Sequence, residues 1–162
     1  MRRTSFARWP CSIARTMDLL GDQWTMLVLR ESFHGVTRFG DLQSALGIAR
    51  NTLTERLDRL TGAGLLTRRR YQTKPARWEY VLTESGRDFY PVLTAIMGWG
   101  DRWLQADKPP VSLRHNGCGQ HTHAKVVCAA CGGDLATDTV IEQPGRAREM
   151  FSRPSQPQPR GT

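Results

Sequence analysis

Three groups of residues in this 162-residue chain have the types and spacing to do chemistry. The first is His115-x2-Cys118-Gly119, followed after residues 119–127 by Cys128-x2-Cys131-Gly132. Two such pairs can close a tetrahedral nitrogen–sulfur site, for which zinc is the expected ion. A glycine after the second ligand of each pair permits the tight turn such a loop needs. His121 and His123 are rival ligands, and a disulfide, a reactive thiol cluster or a site that has lost its metal are alternatives. The ion would be structural, because a ribbon this small cannot bury a core and metal would have to hold it. The second group is Arg68, Arg69, Arg70, Lys74 and Arg77, five cations with no acid between them. Like charges this close oppose folding, so contact with the phosphates of a nucleic acid accounts for them better. The third is Cys11, where a helix is expected to begin; the helix dipole, with Arg8 and Arg15 near, would favour its thiolate and make it reactive. A buried small hydrophobe is the other reading of Cys11.

The formal charge of +8 points to a polyanionic partner, nucleic acid before an anionic membrane surface. The opening Met1-Arg2-Arg3 imitates a signal peptide, but Arg8, Arg15 and Asp18 interrupt the stretch that would have to be apolar. No segment approaches the ~18 apolar residues of a membrane span, so a cytoplasmic protein without membrane contact is expected. There is no Ser/His/Asp grouping, no paired-carboxylate motif and no glycine-rich phosphate loop, so no enzyme is expected.

These residues need elements to position them. Ile13, Met17 and Leu20 step by four and three and predict a helix over 12–20. Gly21 stops it, and Asp22 can cap a second helix over about 23–33 that is apolar on most sides, hence buried and central. Phe39–Leu46, a turn at Gly47, and a helix from Ile48 to about Thr61 give a helix-turn-helix. Residues 64–70 and 78–82 read as β-strands around a polar loop 71–77, which makes a wing. Thr83 can cap a last long helix, Glu84 to about Leu104, with Pro91 either bending it or marking its true first turn. The expected organisation is therefore a winged helix-turn-helix domain over 1–106, mainly α with a small β-hairpin. Beyond it come a linker at 107–112, a Cys/His ribbon over 113–141 and a disordered tail over 142–162.

With Leu53, Leu57 and Leu60 turned inward at 100° per residue, Asn51, Glu55 and Asp58 point outward from the helix 48–61, flanked by Arg50, Thr52, Thr54 and Arg59. A leucine stripe for the scaffold and donors near the helix N-terminus for base edges are what a recognition helix needs. Asn can read adenine and Arg guanine in the major groove. Glu55 would accept from a cytosine amino group or orient a neighbouring arginine. Arg38 and Arg56 complete the expected contact set. The other reading of such a helix is an amphipathic element with a solvated face, in a module that docks a partner protein.

Several motifs, in order, resemble one family: Cys11-Ser12-Ile13-Ala14-Arg15, Leu20-Gly21-Asp22-Gln23-Trp24, Arg38-Phe39-Gly40-Asp41-Leu42, Leu53-Thr54-Glu55-Arg56-Leu57, Gly64-Leu65-Leu66 and Tyr80-Val81-Leu82-Thr83-Glu84-Ser85-Gly86. From about Cys11 to Leu104 the chain is similar to the HxlR-type winged helix-turn-helix regulators of bacteria, relatives of the MarR group. Ala49 departs from the small polar cap more usual there. The resemblance implies a transcription regulator, a repressor by expectation, that binds an inverted repeat of double-stranded DNA as a homodimer built from its N-terminal segment and C-terminal helix. It also implies, for some members, a sensing cysteine at the place of Cys11, and so an oxidant or small-molecule effector. A dimer is expected on packing grounds too: Met97, Trp99, Trp103 and the Phe6/Trp9 arm exceed what a three-helix core with a wing can cover, unless the tryptophans pack within one subunit.

Overall fold

The computed structural model describes residues 5–104, 109 and 111–137. The expected tail and the last residues of the expected ribbon lie outside the described residues, as do 107, 108 and 110 of the expected linker. Among the described residues six helices and two small antiparallel sheets occur in the order α1 (Ser12–Leu20), α2 (Thr25–Phe33), α3 (Phe39–Leu46), α4 (Arg50–Gly62), β1 (Leu66–Gln72), β2 (Arg77–Leu82), α5 (Glu84–Asp88), α6 (Tyr90–Trp103), β3 (Leu113–Arg114) and β4 (His121–Thr122).

The core is a leucine cluster. Leu20, Val28, Leu29, Leu42, Ile48, Leu53, Leu57, Leu60, Leu66 and Tyr80 are buried together, with Trp24, Phe39 and Phe89 packed on the outside. α2 runs through it, as its apolar composition predicts. Its first turn begins at Thr25 rather than Gln23, because the Asp22 carboxylate accepts the N–H groups of Trp24 and Thr25, both at 2.9 Å, and the Thr25 hydroxyl. Gly47 ends α3 at φ +61°, the left-handed turn that sets α4 against it. α4 starts at Arg50, two residues later than the pattern suggested. The expected last helix is two: α5 closes at Asp88 and α6 opens at Tyr90 with Pro91 in its first turn, where a missing N–H costs nothing.

The wing is fastened at its base. Thr83 caps α5 through the N–H of Gly86 at 3.1 Å, and the Ser85 hydroxyl donates to the Gly64 carbonyl at 2.9 Å. Gly86 admits no side chain: a Cβ there would lie 2.1 Å from the Leu65 oxygen. The hairpin is longer than expected, since β1 continues to Gln72 and only residues 73–76 form the loop. Tyr71 is the extra residue of a bulge between the pairs Arg70↔Trp78 and Gln72↔Arg77.

Candidate nucleic-acid interface

α3, the Gly47 turn and α4 form the helix-turn-helix. The inward stripe of α4 is as expected, with Leu53, Leu57 and Leu60 fully buried. Asn51, Thr54, Glu55 and Asp58 are exposed, as is Arg50, while Thr52 and Arg59 are half-buried at the flanks. Arg50 rests its guanidinium 5.1 Å from the centre of the Phe39 ring, so α3 supports it. Ala49 gives α4 no side-chain cap; its carbonyl accepts from Leu53 N at 3.0 Å, and the N–H groups of the first turn have no capping side chain.

Arg56 departs from the expected set. It is half-buried, and its Nε lies 3.0 Å from Asp22 Oδ1, with Glu55 more distant at 3.9 Å. The Nε–H is not aligned on an acceptor, so the contact is one of charge. Arg56 thus faces the scaffold and ties α4 to the cap of α2. Burial pushes the Asp22 carboxyl up, but the hydrogen bonds from Thr25 and Trp24, helped by Arg56, outweigh it and leave the acid below its usual range.

On the wing, strand register sorts the cations. Arg69 pairs across the sheet with Glu79, its Nε donating to Oε1 at 2.8 Å, while the Thr37 hydroxyl donates to the other carboxylate oxygen at 2.9 Å. Those two contacts, Arg69 first, hold Glu79 below the usual carboxylate range. The run without an acid in sequence therefore acquires one from the opposite strand, and Arg69 is committed to it. Arg68 and Arg70 lie on the other face. The Arg68 guanidinium stands 5.0 Å from the Trp78 ring and that of Arg70 6.0 Å from it. Arg38, bridged to Glu79 through the backbone, stands 4.5 Å over Tyr71. Stacking fixes these arginines without neutralising them. Among the described residues, Arg38, Arg50, Arg59, Arg68, Arg70, Lys74 and Arg77 make no ion pair, and all but Arg59 are exposed. Sequence reasoning missed the supporting rings of Tyr71 and Trp78; their alternation with arginines was the available signal.

Cys11 occupies the position before the first turn of α1, half-buried and with a free thiol. The arm before it folds back on α1, where Asp18 accepts from Phe6 N at 3.0 Å and from the Ser5 hydroxyl at 3.2 Å. Phe6 and Trp9 pack edge to face on each other, so the arm satisfies itself better than its composition suggested. In the ribbon, His115 is close to Cys118, but among the described residues no three His, Cys, Asp or Glu side chains form a metal-holding group. The expected four ligands stand as two separate pairs. A cleft of about 910 Å³ separates the ribbon from α6, with Trp99, Trp103, Leu113, His123 and Lys125 among its walls.

A helix-turn-helix with a basic hairpin beside its second helix is the architecture of winged-helix transcription regulators. Residues 19–108 match the HxlR-like helix-turn-helix family, and the chain belongs to it. It is 44% identical over 135 residues to Rv3095, an HTH-type transcriptional regulator of Mycobacterium tuberculosis, covering 83% of this chain and 85% of the relative. The crystal structure of PA1607, a transcription-factor candidate, superposes with a TM-score of 0.78 at 36% identity, over 87% of this chain and all of that one. The oxidised form of the redox regulator HypR superposes with a TM-score of 0.53 at 28% identity, over 60% of this chain and 99% of its own. The protein is a transcription regulator with a DNA-binding fold, and its family is not one of enzymes. Among the described residues no helix is long and apolar enough to cross a membrane.

Proposed function

We propose that the chain is a cytoplasmic, homodimeric repressor that reads an inverted repeat in double-stranded DNA. The observation that carries this reading is the concentration on the helix-turn-helix and wing of exposed cations that make no ion pair among the described residues, Arg38, Arg50, Arg68, Arg70, Lys74 and Arg77. α4 enters the major groove with Arg50, Asn51, Thr52, Thr54 and Glu55 at its leading end. The wing tracks the neighbouring backbone with Arg68, Arg70, Lys74 and Arg77. Arg59 flanks α4, and the bare first turn after Ala49 receives a phosphate oxygen. Arg56 and Arg69 act one step back, holding α4 and β2 in place. Two recognition helices related by a two-fold axis would reach half-sites separated by roughly 10 base pairs or a multiple.

Selection of bound duplexes from a random pool tests this. An inverted repeat should emerge, and Asn51→Ala should relax one position in each half-site by ~1–3 kcal/mol of discrimination. Equal recovery of all sequences by both proteins would remove the reading.

Regulation by oxidants belongs to the same proposal. Cys11 is a free thiol at the head of α1, and α1 leads through Gly21 directly to Asp22, which holds Arg56 of α4. HypR, a redox regulator, shares the fold. Oxidant should lower operator affinity in the native chain and leave Cys11→Ser unaffected; equal responses would sink this part. A small-molecule effector would sit in the cleft between α6 and the ribbon.

A further inference from the structure

Residues 111–137 contain no buried side chain. What regular structure they have is two residue pairs between β3 and β4, a single bridge Val127↔Asp134 and a Lys125–Asp134 ion pair at 2.7 Å. A unit of this size without an apolar core needs another cross-link.

The same loop nevertheless occurs twice. In the first, His115 N donates to the Gln120 carbonyl at 2.9 Å, Gly119 N donates back to the His115 carbonyl at 2.7 Å, and Gly119 adopts φ +71°. In the second, Cys128 N donates to the Gly133 carbonyl at 2.7 Å, Gly132 N donates back to the Cys128 carbonyl at 2.8 Å, and Gly132 adopts φ +74°. The two match bond for bond, and residues one and four of each carry the nitrogen or sulfur. His115 Nδ1 lies 3.4 Å from Cys118 Sγ. Metal–ligand lengths of ~2.05 Å to nitrogen and ~2.3 Å to sulfur make the N–S edge of a zinc tetrahedron about 3.5 Å. The matching backbone puts Cys128 and Cys131 at the corresponding positions of the second loop. Each loop thus presents one edge of a tetrahedron.

We propose that one zinc ion joins the two loops, bound by His115 Nδ1 and the sulfurs of Cys118, Cys128 and Cys131. The edges are separate in this structure; residues 119–127 connect them, and the ion supplies the cross-link that the missing core does not. Binding expels the thiol protons to solvent and needs no oxidant. His121 and His123 take no part, since neither belongs to a repeated loop. The proposal is independent of the DNA reading.

The test uses the full chain, purified under reducing conditions from zinc-supplemented growth. Elemental analysis should find about one zinc per chain in the native protein and in His121→Ala, His123→Ala and Cys11→Ser, and less than about a tenth of that in His115→Ala, Cys118→Ser, Cys128→Ser and Cys131→Ser. Titration of the metal-free chain with Co²⁺ should give tetrahedral ligand-field bands and a thiolate charge-transfer band, both absent from Cys128→Ser. Far-UV circular dichroism reports separately that the helices of each variant are intact. The proposal is overturned by a native chain that takes up neither metal, by one that carries a Cys128–Cys131 disulfide under these conditions, or by zinc retained in Cys128→Ser or lost from His123→Ala.

Discussion

Asp22 Oδ1 lies 3.0 Å from Arg56 Nε, and the same carboxylate caps α2, so one acid fixes both the central helix and the second helix of the helix-turn-helix. Asp22→Ala removes the cap and strands a half-buried guanidinium. It should cost about 2 kcal/mol or more by urea unfolding. Arg56→Ala should cost less, about 1 kcal/mol, because the cap survives. The two losses should not add, since they share a contact. The acid response has a definite sign. Asp22 and Glu79 both titrate lower in the folded chain than in the unfolded one. Their contribution is complete above the ordinary carboxylate value of ~4 and is lost as pH falls from there through their folded values. Asp22→Asn, which can still cap, should therefore flatten the acid limb of the stability curve. An unchanged limb would show that Asp22 is not part of this linkage.

The wing separates arginines by what each already touches. Among the described residues Arg70, Lys74 and Arg77 make no ion pair, whereas Arg69 is held by Glu79 at 2.8 Å. Replacing any of the first three with Ala should weaken every duplex alike and reduce the log–log salt slope by roughly 0.9. Arg69→Ala should change the slope much less. Its effect should come through a loosened Glu79, which then keeps the Thr37 hydroxyl and the more distant charge of Arg38. Fluorescence anisotropy across a salt series, on operator and random duplexes, reads both quantities. An Arg69→Ala slope change equal to that of Arg70→Ala would show that the pair opens on binding.

Legibility in the sequence depends on where each signal resides. Periodicity carries the leucines of α4 and the apolar α2, because burial on one face writes itself into consecutive residues. It cannot carry Arg69–Glu79 or Asp22–Arg56, whose partners meet only through the register of β1 on β2 and the packing of α2 on α4. The run Arg68–Arg77 reads as uncompensated in one dimension and as partly compensated in three. Pro91 was legible as a punctuation mark but not as to which kind, since bending and starting a helix place proline in the same sequence. The ribbon motif specifies the identity and spacing of the proposed ligands; the distance between its two loops is a tertiary fact with no local trace.

Ala49 is a position where stability and function should diverge. It stands at the cap of α4 with extended backbone and no side-chain acceptor. Ala49→Ser and Ala49→Asp should each stabilise the chain by about 1 kcal/mol, read as a shifted urea midpoint. On DNA the two should part. The aspartate puts a negative charge where the proposed phosphate contact lies and should weaken all duplexes, most at low salt, while the serine should cost little. Equal affinities for the two variants would mean that the helix start does not meet the backbone.

The helices at the two ends of the domain carry the last prediction. On α1, Ile13 is 74% exposed and Met17 44%; on α6, Val92, Ile96, Trp99 and Trp103 are 46%, 47%, 58% and 63% exposed. These six recur at helical spacing, so each helix was patterned to bury a stripe that the single chain leaves in water. A monomer seldom exposes such continuous apolar area, and a stable pair needs about 1,600 Å² in total, the scale two such helices per subunit can supply. Sedimentation equilibrium of the native chain should therefore give a dimer. Trp99→Glu should give a folded monomer that binds a single half-site, having lost the gain from linking two. Trp78→Ala, which removes an exposed ring from the wing instead, should stay dimeric. A native chain that sediments as a monomer while binding a full inverted repeat would mean that the two-fold arrangement forms only on the DNA, and that these stripes serve some other contact.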